Sequence, residues 1–413
     1  MKTRWLQNRL RDIDGRRLLV VTGARQTGKT TLARHCFPDL RYINLDALEY
    51  RDMVREVSSF NWGRDVGSAI LDEAQKEPSV FDKVKFAYDE GQLDFTVLLG
   101  SSQILLLKKV RESLAGRAFL MELWPLMLSE MSTEPDAQAV TPLLSRIIAA
   151  GASEALSDLA PVIAGPEASD IRAKEKYMLR WGGMPELLRL NDGQRKEWLR
   201  SYESLYLERD LSDLARIEDL QPFRKFQRLA ALRSGGLLNY SELARDAGVS
   251  VDTSRRYMEY LRLSYQTILL QPWHTNLTSA VVKSPKLYWV DIGLMRQTGG
   301  LGDAVTGAIF ENHVIAEIWK WCSSAAEDVE LYFYRTRSGM EVDLLLETPK
   351  GLIGIEIKSR EKVAKSDSTG LRKLREACGS KWRAGIVVYS GKRIEQIDDH
   401  CWAIPSCRLL GGA

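Results

Sequence analysis

Between residues 17 and 130, short apolar runs alternate with longer stretches of helical periodicity. The runs at 17–22, 41–46, 68–72 and 95–100 are rich in Val, Leu and Ile and are bounded by glycine or polar residues. Strands read this way when crossover helices bury both faces of their sheet. The pattern predicts an α/β layer on a parallel sheet. From about residue 129 to 169 the composition shifts to Ala, Ser, Glu and Pro, and helices then continue to about 235. A compact helical unit with a hairpin follows to about 300, and mixed helix and strand fill the rest.

At 413 residues the chain exceeds one core, and about two to four domains are expected. With 45% hydrophobic and 27% charged residues it is neither disordered nor fibrous. A net charge of +3 leaves any basic surface local. The opening MKTRWLQNRLRDIDG is charged throughout, unlike a signal peptide. No run of about 18 uncharged apolar residues occurs, so no membrane span and a cytoplasmic location are expected. Five scattered cysteines without CxxC spacing read as reduced, mostly buried thiols. His400, Cys401 and Cys407 make only a poor metal set.

The most specific motif is Gly23-Ala24-Arg25-Gln26-Thr27-Gly28-Lys29-Thr30, which fits GxxxxGK[ST] at every fixed position. Glycines let backbone N–H groups turn around phosphate oxygens, lysine reaches the β/γ-phosphates, and the threonine hydroxyl takes a place on Mg²⁺. The helix expected over 29–37, with Thr31 in its first turn, points its positive end at the same anion. ATP and Mg²⁺ are the cofactors this motif calls for. The run at 68–72 ends in Asp72 and Glu73. Asp72 is placed to hold the Mg²⁺ shell, and Glu73 to polarise the attacking water. Ser101 and Ser102, after the next strand, read either as γ-phosphate sensors or as plain turn residues. Arg117 reads either as an arginine reaching a neighbouring subunit's ATP or as part of a solvated salt bridge. Lys29, Glu73 and Arg117 are the catalytic candidates.

Residues 240–261 have helix-turn-helix spacing. Leu243, Ala244 and Ala247 line the first helix, Gly248 makes the turn, and Tyr257 and Leu261 continue the packing stripe. Arg255, Arg256 and Arg262 face elsewhere and are candidates for DNA phosphates. The runs 266–272 and 286–290 would supply a wing. Ser254 stands where a branched apolar residue is usual, and such units also bind proteins.

Residues 341–358 read as a β-hairpin around Thr348-Pro-Lys-Gly351, a type I turn. If Thr348 faces Gly351, Asp343 lies opposite Glu356, and Glu341 opposite Lys358. Val342, Leu344, Leu346, Ile353, Ile355 and Ile357 would then form a core face. The other face would gather the four charged residues. Facing carboxylates with Cβ atoms ~4.5–5.5 Å apart repel, and a divalent cation relieves that cost. The competing reading is a solvated face with a surface ion pair of little worth. Glu311, on a helix expected over 307–321, is a third candidate carboxylate.

Taken in order, GARQTGKTTL, LDEAQ, GSSQ with SLAGR, GGMPE, YLERDL, KSPKLYWVDIGL, IFENHV, and EVDLLL with GIEIKS span nearly the whole chain. The set resembles a prokaryotic family of AAA+-type P-loop ATPases with a winged helix and a C-terminal domain similar to PD-(D/E)xK nucleases. The resemblance implies an ASCE sheet, with the 95–100 strand inserted between the phosphate-loop strand and the Asp72 strand. It implies a homo-oligomer with ATP near subunit boundaries, a hexameric ring being one such assembly. It also implies a nuclease-like set of Glu311, Asp343, Glu356 and Lys358, although Val342 stands where the motif has proline. The implied architecture is α/β: an ATPase domain at 1–165, a helical lid at 166–220, a winged helix-turn-helix at 221–300, and a restriction-endonuclease-like domain at 301–413. The expected function is ATP hydrolysis coupled to action on DNA. The alternative is an ATP-dependent switch that docks a protein partner.

Overall fold

The computed structural model describes residues 2–11, 17–100, 112–134, 137–162, 165–215, 219–274, 283–325 and 328–412, with side chains described for all but 11 and 206–215. Ser101 and Ser102 lie outside the described residues.

Five parallel strands form the first sheet, in the order Arg41–Asn44, Ala69–Asp72, Phe95–Leu99, Arg17–Thr22, Ala118–Glu122. Phe95–Leu99 does lie between the phosphate-loop strand and the Asp72 strand. Alternate residues of Arg17–Thr22 serve two cores. Leu18 and Val20 face Trp62, Phe81 and Val84, whereas Leu19 and Val21 face Leu32, Ala33, Leu6 and Leu10. Each such side chain gains roughly 1.5–3 kcal/mol from burial, so the period-2 pattern fixes the strand between two helical layers. The edge strand Ala118–Glu122 is apolar over residues 118–121, yet Phe119 and Leu120 are exposed on it.

Helices Pro166–Trp181, Asp192–Ala215 and Gln221–Leu232 lead into Tyr240–Ala247 and Val251–Leu263. Asn239 caps the fourth helix and Ser250 the fifth, each accepting backbone N–H bonds. Gly248 ends the fourth in the left-handed region at φ 76°. Leu243, Ala244, Ala247, Tyr257 and Leu261 are buried. Ser254 is fully buried too, and its hydroxyl has no bonding partner among the described residues.

After helix Val251–Leu263, the strands Thr267–Pro272 and Lys286–Trp289 pair antiparallel. They do not stand apart as a wing. Thr267–Pro272 also pairs parallel with Glu330–Arg335, which makes the two strands one end of an eight-stranded sheet. From there the order continues through Glu341–Thr348, Gly351–Lys358, Trp382–Tyr389, Cys401–Pro405 and Glu395–Asp398. The sheet therefore crosses the 300/301 boundary drawn from sequence. Helix Gly307–Ala325 covers one face, and Thr369–Cys378 the other.

The hairpin register agrees with the turn: Gly351 pairs with Thr348 and Ile355 with Leu344. One member of the expected core face, Val342, needs correction. Glu330–Arg335 slips by one residue against Glu341–Thr348, with Tyr332 facing Leu345 and Tyr334 facing Val342. A bulge of this kind breaks the alternation, and Val342 joins Leu345 and Leu352 in the opposite core. That second face is consequently apolar along most of its length, and the charged residues gather only at its end.

Two of the sequence motifs meet in space. Asp291, of KSPKLYWVDIGL, caps helix Ile292–Gly299 and accepts the Gly183 N–H of GGMPE at 2.7 Å. A Cβ on Gly293 would come 2.1 Å from the Trp181 carbonyl, so only glycine permits this approach.

Candidate functional site

Gly23 follows the strand Arg17–Thr22 at φ 147°, and a Cβ there would strike the Leu123 carbonyl at 2.2 Å. Gln26 adopts φ 60°, Gly28 φ 96°, and helix Lys29–Cys36 begins at once. This succession turns the loop back on itself. Lys29 is buried, and its ammonium donates to the Gly23 and Ala24 carbonyls at 2.9 and 2.8 Å. Thr27 closes the loop on the Ala24 carbonyl, while Gln26 and Thr31 are exposed.

Thr30 and Asp72, predicted 42 residues apart, meet: the Thr30 hydroxyl donates to Asp72 Oδ2 at 2.6 Å. The Tyr42 hydroxyl donates to the same oxygen at 2.8 Å, and the Glu73 N–H to Oδ1 at 3.0 Å. Glu73 sits at φ 53° in the left-handed region, a strained state for a non-glycine residue. Its carboxylate accepts the Gln75 side-chain amide. A loop with its lysine held inward beside a Thr–Asp pair fits a nucleotide with Mg²⁺. Lys29 would meet the β/γ-phosphates, Thr30 and Asp72 would hold the ion, and Mg²⁺ would neutralise phosphate charge.

Three contacts to this site come from residues that sequence reasoning passed over. Arg4 is buried and donates to the Thr27 carbonyl at 2.8 Å, to the Trp124 carbonyl, and to Glu130 at 3.1 Å. Tyr42 lies on an ordinary-looking strand. The Tyr265 hydroxyl reaches Thr22 Oγ1 at 3.0 Å and Glu122 at 3.3 Å. A long-range hydrogen bond leaves no local spacing to read.

Arg117 forks onto Asp89 at 2.7 and 2.9 Å, an intramolecular pair. Arg262 does the same with Glu259 at 2.8 and 2.6 Å. Arg255 lies 3.3 Å from Asp252, and Arg256 is exposed.

At the end of the C-terminal hairpin, Lys286 stands among the candidate carboxylates. Its ammonium is 2.5 Å from Glu341, 3.2 Å from Glu311 and 3.9 Å from Asp343, with 3% of the side chain exposed. Tyr288 donates to Glu311 at 2.7 Å, and Lys358 to Glu356 at 2.7 Å. Burial pulls the pKa of Lys286 down, but the charges of Glu311, Asp343 and Glu341 outweigh it and hold it raised. Burial, then the Glu356 and Glu311 charges, pushes Asp343 up to about 8. Among the described residues no three His, Cys, Asp or Glu side chains are grouped to hold a metal. Sequence reasoning placed Lys286 on a strand and missed this role. None of the five cysteines is joined in a disulfide among the described residues, and Cys322, Cys401 and Cys407 are buried. No described helix is long and apolar enough to cross a membrane.

Residues 15–132 match the family described as an AAA domain. With the parallel sheet and the loop geometry, this makes the N-terminal domain a P-loop ATPase-like α/β domain. Residues 172–304 and 306–409 match two families described as domains of unknown function, DUF8612 and DUF4143. Two mycobacterial relatives are similar along most of the chain. They are the uncharacterized proteins Rv2008c of Mycobacterium tuberculosis and Mb2031c of Mycobacterium bovis. Each is 27% identical over 410 residues, 95% of this chain and 81% of its own. Among solved structures, the Walker-type ATPase PABY2304 of Pyrococcus abyssi is 17% identical at a TM-score of 0.41, over 68% of this chain and 90% of that one. The Aeropyrum pernix ORC2 protein in its ADP form is 12% identical at 0.28, over 62% and 81%.

Proposed function

We propose that this protein binds and hydrolyses ATP with Mg²⁺ and uses the cycle to act on DNA. The observation that carries the ATPase reading is the meeting of Thr30 with Asp72 beside an inward-held Lys29. Lys29 would hold phosphate charge, Glu73 would orient and polarise water, and Gln75 would release or restrain that carboxylate. Support for DNA comes from the capped helix-turn-helix and from the exposure of Arg255 and Arg256 on its second helix. Strands Glu341–Thr348 and Gly351–Lys358 would present Asp343, Glu356 and Lys358, and helix Gly307–Ala325 would add Glu311, as a nuclease-like set. Arg117, freed from Asp89, would reach a neighbouring subunit's nucleotide in a homo-oligomer.

The second reading is an ATP-dependent switch for a protein partner. It is favoured by the pairing of Arg255 and Arg262 with acids on their own helix, which lowers the field offered to phosphate. ATPase rates measured with single-stranded, duplex and four-way-junction DNA at several salt concentrations separate the two. Stimulation that falls steeply with salt is the expected result. No stimulation by any of the three gives the protein-switch reading.

A further inference from the structure

We infer that Tyr42 is a positioning residue for the divalent cation that accompanies the nucleotide, an inference that rests on the ATPase reading above. Three donors hold the Asp72 carboxylate: the Thr30 and Tyr42 hydroxyls on Oδ2, at 2.6 and 2.8 Å, and the Glu73 N–H on Oδ1 at 3.0 Å. They differ in what they can do. Thr30 must turn an oxygen lone pair toward the ion, so its own orientation depends on the ion. The Glu73 N–H is fixed by the backbone but touches only Oδ1. Tyr42 is the donor that sets Oδ2 independently of the cation.

Its reach is built into the sheet. Tyr42 lies on the strand Arg41–Asn44, whose Asn44 pairs with Asp72 itself. The ring packs against the core that holds Leu32 and Ile70, and the Arg34 guanidinium lies 5.0 Å from its centroid. The chemistry of a phenol also suits the task. A lysine or arginine in its place would cancel the negative charge that draws the cation. The phenol orients the carboxylate and leaves that charge intact.

The experiment uses the full chain, a fluorescent ATP analogue and a Mg²⁺ titration, with Mn²⁺ binding followed by electron paramagnetic resonance. Tyr42→Phe keeps the ring and removes the hydroxyl. Nucleotide affinity without metal should stay within about two-fold, while the Mg²⁺ midpoint and the Mn²⁺ dissociation constant rise by about ten-fold, as for outer-shell partners of metal ligands. Arg34→Ala removes the guanidinium above the same ring but keeps the hydroxyl, and should leave both metal readouts unchanged. An unchanged midpoint in Tyr42→Phe overturns the inference, as does an equal shift in Arg34→Ala, which would assign the effect to a loosened strand. A wild-type chain that binds no nucleotide at any Mg²⁺ concentration would overturn the ATPase reading first.

Discussion

The Tyr265 hydroxyl donates to Thr22 Oγ1 at 3.0 Å, joining the exit of the helix-turn-helix to the residue immediately before the phosphate loop. Tyr265 holds φ 62°, unusual for an aromatic residue, and meets the Trp124 ring edge-on at 5.2 Å between centroids. The Trp124 carbonyl in turn accepts from Arg4, which also holds the Thr27 carbonyl. Movement of the phosphate loop therefore has a contiguous route of packed and bonded groups into the middle of the chain.

Tyr265→Phe tests that route. The ring and its contact with Trp124 remain, so basal nucleotide affinity should change by less than about three-fold. Any effect of duplex DNA on nucleotide affinity, typically about 1–3 kcal/mol in coupled proteins, should shrink. Equal coupling in wild type and variant would show that the hydroxyl carries no signal.

Lys29→Ala should abolish tight ATP binding, because it removes the cation that faces the β/γ-phosphates. Glu73→Gln should bind ATP as wild type does and lose turnover by at least about a hundred-fold, since an amide cannot polarise water. Binding and single-turnover rates measured on the same preparations distinguish the two defects. Hydrolysis by Glu73→Gln at the wild-type rate would remove Glu73 from the mechanism.

What was legible in the sequence follows from the range of the forces involved. The strand at 17–22 showed itself because both its faces are buried, and the phosphate loop because its chemistry needs fixed types at fixed spacing. The 348–351 turn set the hairpin register correctly through Ile355 and Leu344. Val342 was misplaced because a bulge against Tyr332 and Tyr334 leaves no trace in the alternation. Sequence reasoning did not assign the edge strand Ala118–Glu122, whose apolar run over 118–121 carries no sign that Phe119 and Leu120 are exposed. Lys286 could not be connected to Glu311 and Glu341, since that contact exists only once Thr267–Pro272 has joined the C-terminal sheet.

Lys286→Met should reveal what that ammonium contributes. It leaves Glu311, Glu341 and Asp343 without their central cation, although Arg335 still lies 3.1 Å from Glu341. With Glu311 and Glu341 partly exposed, the loss should fall below the roughly 3–5 kcal/mol of a fully buried pair that loses one partner. Adding Glu341→Gln should recover part of the loss by reducing the like charge. Urea midpoints of the single and double variants measure both effects. A Lys286→Met chain as stable as wild type would mean that water already screens the cluster.

Replacing Arg255 and Arg256 together with Ala should weaken DNA binding across all sequences. The slope of log K against log salt should flatten by up to about two units, roughly one per lost phosphate contact. Arg262→Ala provides the contrast, because its guanidinium is already forked onto Glu259 and should change the slope less. Unchanged affinity and slope in the double variant would move this surface to the protein-docking reading.

The last prediction concerns a buried pair between helices Pro166–Trp181 and Gly307–Ala325. Glu175 Oε1 lies 3.9 Å from His313 Nε2. Ser406 lies close enough to favour the charged form of Glu175, Glu317 adds a like charge, and Cys407 lies in its field. On the other side Lys320 faces His313. Burial raises Glu175 from 4.5 to about 7, and burial with the Lys320 charge lowers His313 from 6.5 to about 3. Folded Glu175 thus binds more protons than the unfolded chain between about 4.5 and 7, so its contribution to stability is full below that window and falls as pH rises through it. Folded His313 binds fewer protons between about 3 and 6.5, so its contribution falls as pH drops through that window. From 4.5 to 6.5 the two slopes oppose each other. Glu175→Gln should therefore leave stability rising with pH over this range relative to wild type, by at most about 1.4 kcal/mol per unit. His313→Gln should leave it falling with pH by a comparable amount. Urea midpoints from pH 4 to 8, compared variant by variant, decide the matter. If both variants track the wild-type pH profile in parallel, the pair exchanges no protons on unfolding and the argument from burial is wrong.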